Sequence, residues 1–261
     1  MKTLRLFLTE TRRVILSKQF LFAVLVMLAG LIAGSFKELY DTLSHLPENP
    51  REFIRAGAQF MYFRIGVESN AAHFVLPIAA ALPCSCLFIE DMTSGFVKGY
   101  IPRTGRLRYI LTRCLTSFIG SAFAVILGIM LFYALLTAVF APISAPPEEV
   151  FPLWESVKGI LILLALYASG AALWSSLGLL LSGVTMNRFS AVASPFIVFY
   201  LMEILVSQYF PTAFKLQPSL YLMEYGAYEG ILTPALVSCV LAVLLLGVFA
   251  GVSAERIRRQ I

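Results

Sequence analysis

Long uncharged stretches alternate with short charged segments along the whole chain. Five stretches contain no Lys, Arg, Asp or Glu, and a sixth contains one acid, Glu203. About 20 apolar residues cross the roughly 30 Å hydrocarbon core of a bilayer as a helix, because lipid cannot satisfy free backbone polar groups. The pattern therefore predicts an all-α integral membrane protein forming one transmembrane domain over 1–261. Its six spans are expected at about 19–36, 70–89, 115–140, 159–183, 190–210 and 232–253.

The distribution of positive charge predicts how these spans are oriented. Fourteen of the 20 Lys and Arg residues lie before the first span, between the second and third, between the fourth and fifth, or after the last. The six others lie on the opposite side, together with ten of the fifteen acids. Because cytoplasmic connections carry the excess of Lys and Arg, we expect a multi-pass protein of the cell membrane with both termini in the cytoplasm.

Composition supports a membrane protein and does not favour a nucleic-acid partner. The chain is 59% hydrophobic and 13% charged, with a net charge of +5, whereas soluble domains are about 25% charged. Membrane topology and attraction to anionic lipid already explain the basic residues on one side. We therefore expect a lipid partner and no nucleic-acid partner.

The first 18 residues predict a separate amphipathic helix at the membrane interface. Its apolar side comprises Leu4, Phe7, Leu8, Thr11 and Ile15, and its cationic side includes Arg5, Arg12 and Arg13. Such a helix suits the headgroup plane. Two alternatives are a frayed basic tail and a signal peptide, and the second fits poorly because the basic segment is long and patterned.

No catalytic or metal-binding pattern is present in the sequence. It contains no phosphate-binding loop, no H-E-x-x-H and no G-x-S-x-G, so the chain itself is not expected to be an enzyme or to hydrolyse ATP. Four Cys and two His residues show no metal-ligand spacing. We expect no catalytic residues, no metal site and no cofactor on this chain.

The connection between the second and third spans has features of a docking surface. Its acids Glu90 and Asp91 come first, Gly95 and Phe96 follow, and the segment ends in cations. A topogenic loop needs these cations but not the exposed apolar residues, which suit contact with another protein. The candidate coupling residues are Glu90, Asp91, Gly95, Phe96, Arg103, Arg106 and Arg108.

This layout resembles the permease subunits of type 2 ATP-binding-cassette exporters over nearly the whole chain. In that family an acid-x₄-Gly run leads to a Pro-x-x-Arg element and a later cation. Glu90 and Gly95 match the first part, Arg106 falls one position late after Pro102, and Arg113 matches the later cation. The resemblance implies a separate cytoplasmic ATPase that carries ATP and Mg, a second permease copy or related permease, and transport outward.

The segment between the fifth and sixth spans is too short to cross the membrane twice but is rich in apolar residues. The resemblance implies a re-entrant helical pair here that acts as an outer gate, with Pro218 and Tyr221 as candidate residues. The alternative is an amphipathic loop resting on the outer leaflet, with its tyrosines at the interface.

Glu203 is the one formal charge inside a predicted span. A carboxylate near the bilayer centre costs about 2.5–3.5 kcal/mol on insertion scales, so we expect it to face protein or water. It either lines a substrate path together with Tyr200 or is a hydrogen-bonded structural acid.

The resemblance implies that the chain is the membrane subunit of an exporter, and the long first outer loop favours a peptide, an antibiotic or another amphipathic compound as its substrate. An ATP-independent channel or secondary transporter is the alternative, although no internal repeat is evident.

Two pairs of glycines, Gly30 with Gly34 and Gly247 with Gly251, further predict positions where helices approach closely.

Overall fold

The computed structural model describes residues 2–45, 54, 57–144, 153–223 and 233–260, and among these residues it contains helices and turns without strands. The α-helices are α1 (Lys2–Ile15), α2 (Lys18–Ser44), α3 (Ala58–Val67), α4 (Asn70–Ala81), α5 (Leu87–Thr93), α6 (Phe96–Thr104), α7 (Arg106–Phe140), α8 (Leu153–Thr185), α9 (Arg188–Ile204) and α10 (Thr233–Gln260). A π-helical turn (Leu205–Tyr209) and two 3₁₀ turns (Pro211–Leu216 and Pro218–Leu222) follow α9.

Within the described ranges, five helical segments are long and apolar enough to cross a membrane. They are Lys18–Ser44, Arg106–Phe140, Ser156–Thr185, Arg188–Tyr209 and Thr233–Arg259. These segments overlap the first, third, fourth, fifth and sixth predicted spans. The prediction of an all-helical, multi-pass membrane protein is therefore confirmed in its coarse form.

The second predicted span is not one continuous helix. Its residues form the 12-residue α4 and the seven-residue α5, with a turn over 82–86 between them. The turn contains Pro83, which lacks an N–H group and whose ring clashes with the carbonyl group four residues earlier. Hydropathy predicted a single helix over 70–89 because the residues in the turn are also uncharged.

The N-terminal segment forms a helix of its own, as predicted. Ser17 begins the next helix, since its hydroxyl group accepts a hydrogen bond from the Phe20 N–H at 3.1 Å. Among residues 6–15 of α1, Glu10 and Val14 are buried, whereas Leu8 and Ile15 remain exposed. The helix therefore presents an apolar surface outward while a neighbouring face packs against the protein.

The long helix α8 lies at the centre of the bundle. It packs against α4, α7, α9 and α10, while α2 packs against α4 and α7. Tyr167 of α8, Phe132 of α7 and Phe199 of α9 are fully buried in one apolar cluster. Burying large side chains between helices gives close packing, which is a main source of association between apolar helices in lipid.

The two predicted glycine pairs differ in their surroundings. A Cβ atom at Gly30 would lie 2.9 Å from the Cβ of Val75, and one at Gly34 would overlap the Ser69 hydroxyl oxygen, so α2 and α4 approach closely as predicted. No atom lies within 4 Å of a Cβ built at Gly247 or Gly251. The second pair therefore makes no close helix contact among the described residues.

We predict that Gly34→Ala destabilises the protein. The added methyl group would displace the Ser69 hydroxyl group, which caps α4 by accepting a hydrogen bond from the Ala72 N–H at 3.2 Å. Loss of such a cap costs about 0.5–2 kcal/mol. The apparent melting temperature of the detergent-purified variant should therefore fall below that of the wild type.

Gly247→Ala is the matched control, because its methyl group meets open space and alanine favours a helix over glycine by about 0.5–1 kcal/mol. Its melting temperature should equal or exceed that of the wild type. Equal melting temperatures for the two variants would contradict the close approach of α2 and α4.

Candidate functional site

A buried ionic cluster joins α5 to the first turns of α7. Arg113 of α7 and Asp91 of α5 are both buried, and the Arg113 Nη2 group donates to the Asp91 Oδ2 atom. The hydroxyl group of Tyr109 donates to the same carboxylate at 2.8 Å. The Arg113 guanidinium group also lies over the Tyr109 ring, 5.6 Å from its centroid. These three side chains hold the short helix α5 against α7.

The N-terminal helix supplies the other two charges of this cluster. The Glu10 carboxylate lies 3.2 Å from Arg113 Nη1, and Arg13 Nη1 donates to Asp91 Oδ1 at 3.2 Å. Two acids and two arginines therefore balance in formal charge. We call the five residues Glu10, Arg13, Asp91, Tyr109 and Arg113 the buried charge cluster.

Because burying a charge is costly, each charged side chain of the cluster needs an oppositely charged partner close by. Removing a carboxylate or guanidinium group from water costs several kcal/mol, which only close opposite charges and hydrogen bonds offset. Because the charges come from α1, α5 and α7, separating any of these helices would leave a charge unpaired. The cluster therefore constrains the three elements to act as one unit.

Two glycines shape the connection from α5 to α7. Gly95 has φ of +72° and Gly105 has φ of +84°, a backbone region that glycine adopts without steric cost. They border the nine-residue α6, which buries Val97 and Ile101. Burial raises the pKa of Tyr100 in this helix, and the Glu10 carboxylate raises it further. Gly95, the glycine of the acid-x₄-Gly spacing that begins at Glu90, therefore lies at the break between α5 and α6.

The predicted coupling residues are placed differently from one another. Asp91 is buried in the charge cluster, whereas Glu90 is half-buried and lies 3.7 Å from the guanidinium group of Arg188. Arg106 is half-buried and Arg108 is exposed. The backbone of Arg103 lies in α6, and its side chain is outside the described part of the structure. Asp91 is therefore buried and does not form part of the surface that a partner could contact.

The surface of the connection retains exposed apolar side chains. Phe96 is 39% exposed and stacks on Tyr100 with 4.7 Å between ring centroids, and Leu107 is 74% exposed. Beside this connection, a groove of about 640 Å³ separates Met92 from the end of α10. This groove also has charged walls, formed by Glu255, Arg256 and Arg259. Apolar residues bordered by charges are typical of a protein interface.

Among the interface-helix residues, Arg12 and Arg13 are exposed, although Arg13 also reaches Asp91. The side chain of Arg5 lies outside the described residues. Sequence reasoning missed Glu10 and Tyr109 as members of the cluster. One signal was available for Glu10, since it is the only acid among the first 18 residues.

At the opposite end of the bundle, Glu203 anchors the two 3₁₀ turns. Its Oε1 atom accepts hydrogen bonds from the Gln217 side-chain amide at 2.6 Å and the Ser219 hydroxyl group at 2.9 Å. Its Oε2 atom accepts one from the Ser219 backbone N–H at 3.3 Å. Three donors from one short segment satisfy the carboxylate, so the geometry favours the structural interpretation of this acid.

The other residues predicted for the substrate path or gate surround this anchor. Tyr200 is exposed and stacks on Phe196 at 6.2 Å between ring centroids. Pro218 is buried between the two residues that bind Glu203, and Tyr221 is half-buried. Leu222 is fully buried and reaches α8, where a Cβ atom at Gly170 would lie 2.8 Å from it.

A pocket of about 370 Å³ lies behind these turns. Its walls come from α8, α9, the 3₁₀ turns and α10. Pro218 and Tyr221 border it, and none of the described residues that line it carries a charge. The predicted gate residues therefore lie beside an apolar cavity within the bundle.

No group of three or more His, Cys, Asp or Glu side chains that could hold a metal ion occurs among the described residues. The four cysteines are free thiols. No family model, no curated protein and no solved structure matches the chain. The geometry of the charge cluster and of the Glu203 anchor therefore carries the functional argument.

We predict that Arg113→Leu strongly destabilises the protein. The substitution leaves Asp91 and Glu10 with too little positive charge inside the fold, and breaking a buried pair in this way costs about 3–5 kcal/mol. Thermal unfolding of the purified protein should reveal the loss. Arg108→Leu removes an exposed charge from the same helix and should change stability by no more than about 0.5 kcal/mol. Equal effects of the two variants would contradict the cluster.

We also predict graded effects at Glu203. Glu203→Ala removes all three acceptor contacts and should lower the free energy of unfolding by about 1–3 kcal/mol. Glu203→Gln retains one acceptor oxygen and should lower it less. Unfolding curves of both variants test this order. An alanine variant as stable as the wild type would exclude Glu203 as an anchor.

Proposed function

We propose that the chain is the membrane-spanning subunit of an ATP-driven exporter that works with a separate cytoplasmic ATPase. The buried charge cluster carries this proposal. It links the amphipathic helix α1, the connection over 90–108 and the long helix α7 through side-chain contacts. A partner that pulls on the connection would therefore move α1 and α7 together.

The connection offers a place for the ATPase to bind. Phe96 and Leu107 expose apolar surface, and the nearby groove beside Met92 has charged walls. Apolar anchors ringed by polar groups are characteristic of protein–protein contacts. In this proposal Asp91 acts inside the protein by holding the connection to α7, and Phe96 contacts the partner.

We propose that α4, the 82–86 turn and α5 together form the second crossing in chain order, which brings the number of crossings to six. The 12 residues of α4 rise about 18 Å, which is too short for a hydrocarbon core of about 30 Å. A continuous helix over the 24 residues 70–93 would be about 36 Å long, enough to cross. With six crossings, both termini and the 90–108 connection lie on the basic, cytoplasmic side. We further propose that two permease subunits pair.

The transported compound is proposed to be a peptide, an antibiotic or another amphipathic molecule. The pocket beside the 3₁₀ turns supports this class, since the described residues that line it are mostly apolar and uncharged. Export is the proposed direction, on the resemblance of the layout to exporter permeases.

The experiment that tests the proposal searches the neighbouring genes for an ATP-binding-cassette ATPase and co-expresses the ATPase found there with the chain. The two proteins should co-purify, and ATP hydrolysis should respond to the permease. Phe96→Asp should reduce both, because a charge on the anchor opposes its burial in a partner. Co-purified ATPase and its hydrolysis rate in proteoliposomes are the measurements.

Phe96→Leu is the matched control, since it keeps an apolar side chain at the same position and should retain most of the coupling. Glu90→Ala is a less clean probe because it also removes the contact with Arg188. Normal ATPase association and hydrolysis in Phe96→Asp would overturn the docking role of the connection.

A proton-driven transporter is the second candidate, and His73 favours it. This residue is buried in α4, and neither of its ring nitrogens has a hydrogen-bond partner among the described residues. Uptake into proteoliposomes driven by a pH gradient without an ATPase, and abolished by His73→Leu, would support this candidate against the exporter.

A further inference from the structure

The pocket behind the 3₁₀ turns has the chemistry of a binding site for hydrocarbon. Its volume of about 370 Å³ falls in the range of small-molecule sites, about 300–1,000 Å³. Leucines and valines dominate its lining, and Ser238, Tyr221 and Trp174 are the lining residues with a polar side-chain atom in the described part of the chain. An ion or a sugar would lose its hydration here without finding enough partners.

The position of the pocket gives hydrocarbon a route into it. Its lining residues on α8, α9 and α10 belong to the middle turns of three segments able to cross a membrane. On α10, Leu241, Leu244 and Val248 line the pocket and are also exposed on the outside of the bundle. The apolar outer surface of α10 is therefore continuous with the wall of the pocket.

The other side of the pocket is closed by the turns that Glu203 holds. Pro218 and Leu222 line it, and the residues on both sides of Pro218 donate hydrogen bonds to the Glu203 carboxylate. The cover is therefore fixed by polar contacts outside the pocket, while its inner surface stays apolar. A flexible chain fits such a site better than a rigid polar molecule.

We propose that this pocket binds one aliphatic chain of an amphipathic molecule, which enters sideways past α10. The proposal does not depend on what powers transport. Such a chain has two sources, a bilayer phospholipid and a free single-chain amphiphile. Their shared chemistry is an unbranched hydrocarbon tail that replaces lipid contacts with contacts to leucine and valine side chains.

Two photoreactive probes test the proposal and distinguish the sources. One is phosphatidylcholine with a diazirine in one acyl chain, and the other is palmitic acid with the same diazirine. The protein in nanodiscs is irradiated with each probe, and labelled positions are identified by mass spectrometry. We expect several-fold more labelling at the pocket positions Leu173 and Leu245 than at Val243, which is on the outer surface of α10.

Leu244→Trp and Val243→Trp form a matched pair of variants. The two positions are neighbours and are 61% and 62% exposed, but only Leu244 lines the pocket. Leu244→Trp should reduce pocket labelling several-fold by filling the space, whereas Val243→Trp should leave it unchanged. Both side chains are exposed, so both variants should fold, as size-exclusion chromatography and thermal unfolding would verify. Leu241→Trp is a second filling variant.

Each outcome has a clear meaning. Pocket labelling by the phospholipid probe alone assigns the site to a bilayer acyl chain, and labelling by palmitic acid that unlabelled palmitic acid suppresses assigns it to a single-chain amphiphile. Equal labelling in the two tryptophan variants overturns the proposal. Absence of pocket labelling with both probes also overturns it.

Discussion

The buried contact between Arg113 and Asp91 is the interaction on which one end of the molecule depends. It places a guanidinium group and a carboxylate away from water, where neither is stable without the other. Glu10 and Arg13 of α1 complete the charge balance. These contacts therefore fix the positions of the amphipathic helix α1, the short helix α5 and the first turns of α7 relative to one another. The same arrangement sets the position of the exposed surface of the 90–108 connection.

At the opposite end of the bundle an acid again holds a segment in place, here through hydrogen bonds from uncharged groups. There the carboxylate of Glu203 accepts three hydrogen bonds from Gln217 and Ser219, and the turns become a cover for the apolar pocket. In both places an acidic side chain joins a short segment to a longer helix. Directional polar contacts of this kind fix the position of a segment, which apolar packing alone would leave variable.

The broken helix over 70–93 links these two ends. Pro83 interrupts the chain between α4 and α5, and the turn brings Ser85 so close to Gly178 of α8 that a Cβ atom there would overlap its hydroxyl oxygen. Asp91 of α5, which follows this turn, contacts Arg113 of α7.

The sequence by itself determined the class of molecule and the approximate positions of the long helices. Uncharged runs of 20 or more residues leave few alternatives, because backbone groups in hydrocarbon must bond within a helix. Capping residues such as Ser17 and Asn187 also mark helix starts directly. Only the tertiary structure decided that Asp91 faces inward, that Glu10 pairs with Arg113 and that Glu203 binds the turns. Those contacts join residues far apart in the chain, and hydropathy and local spacing carry no information about which distant groups meet.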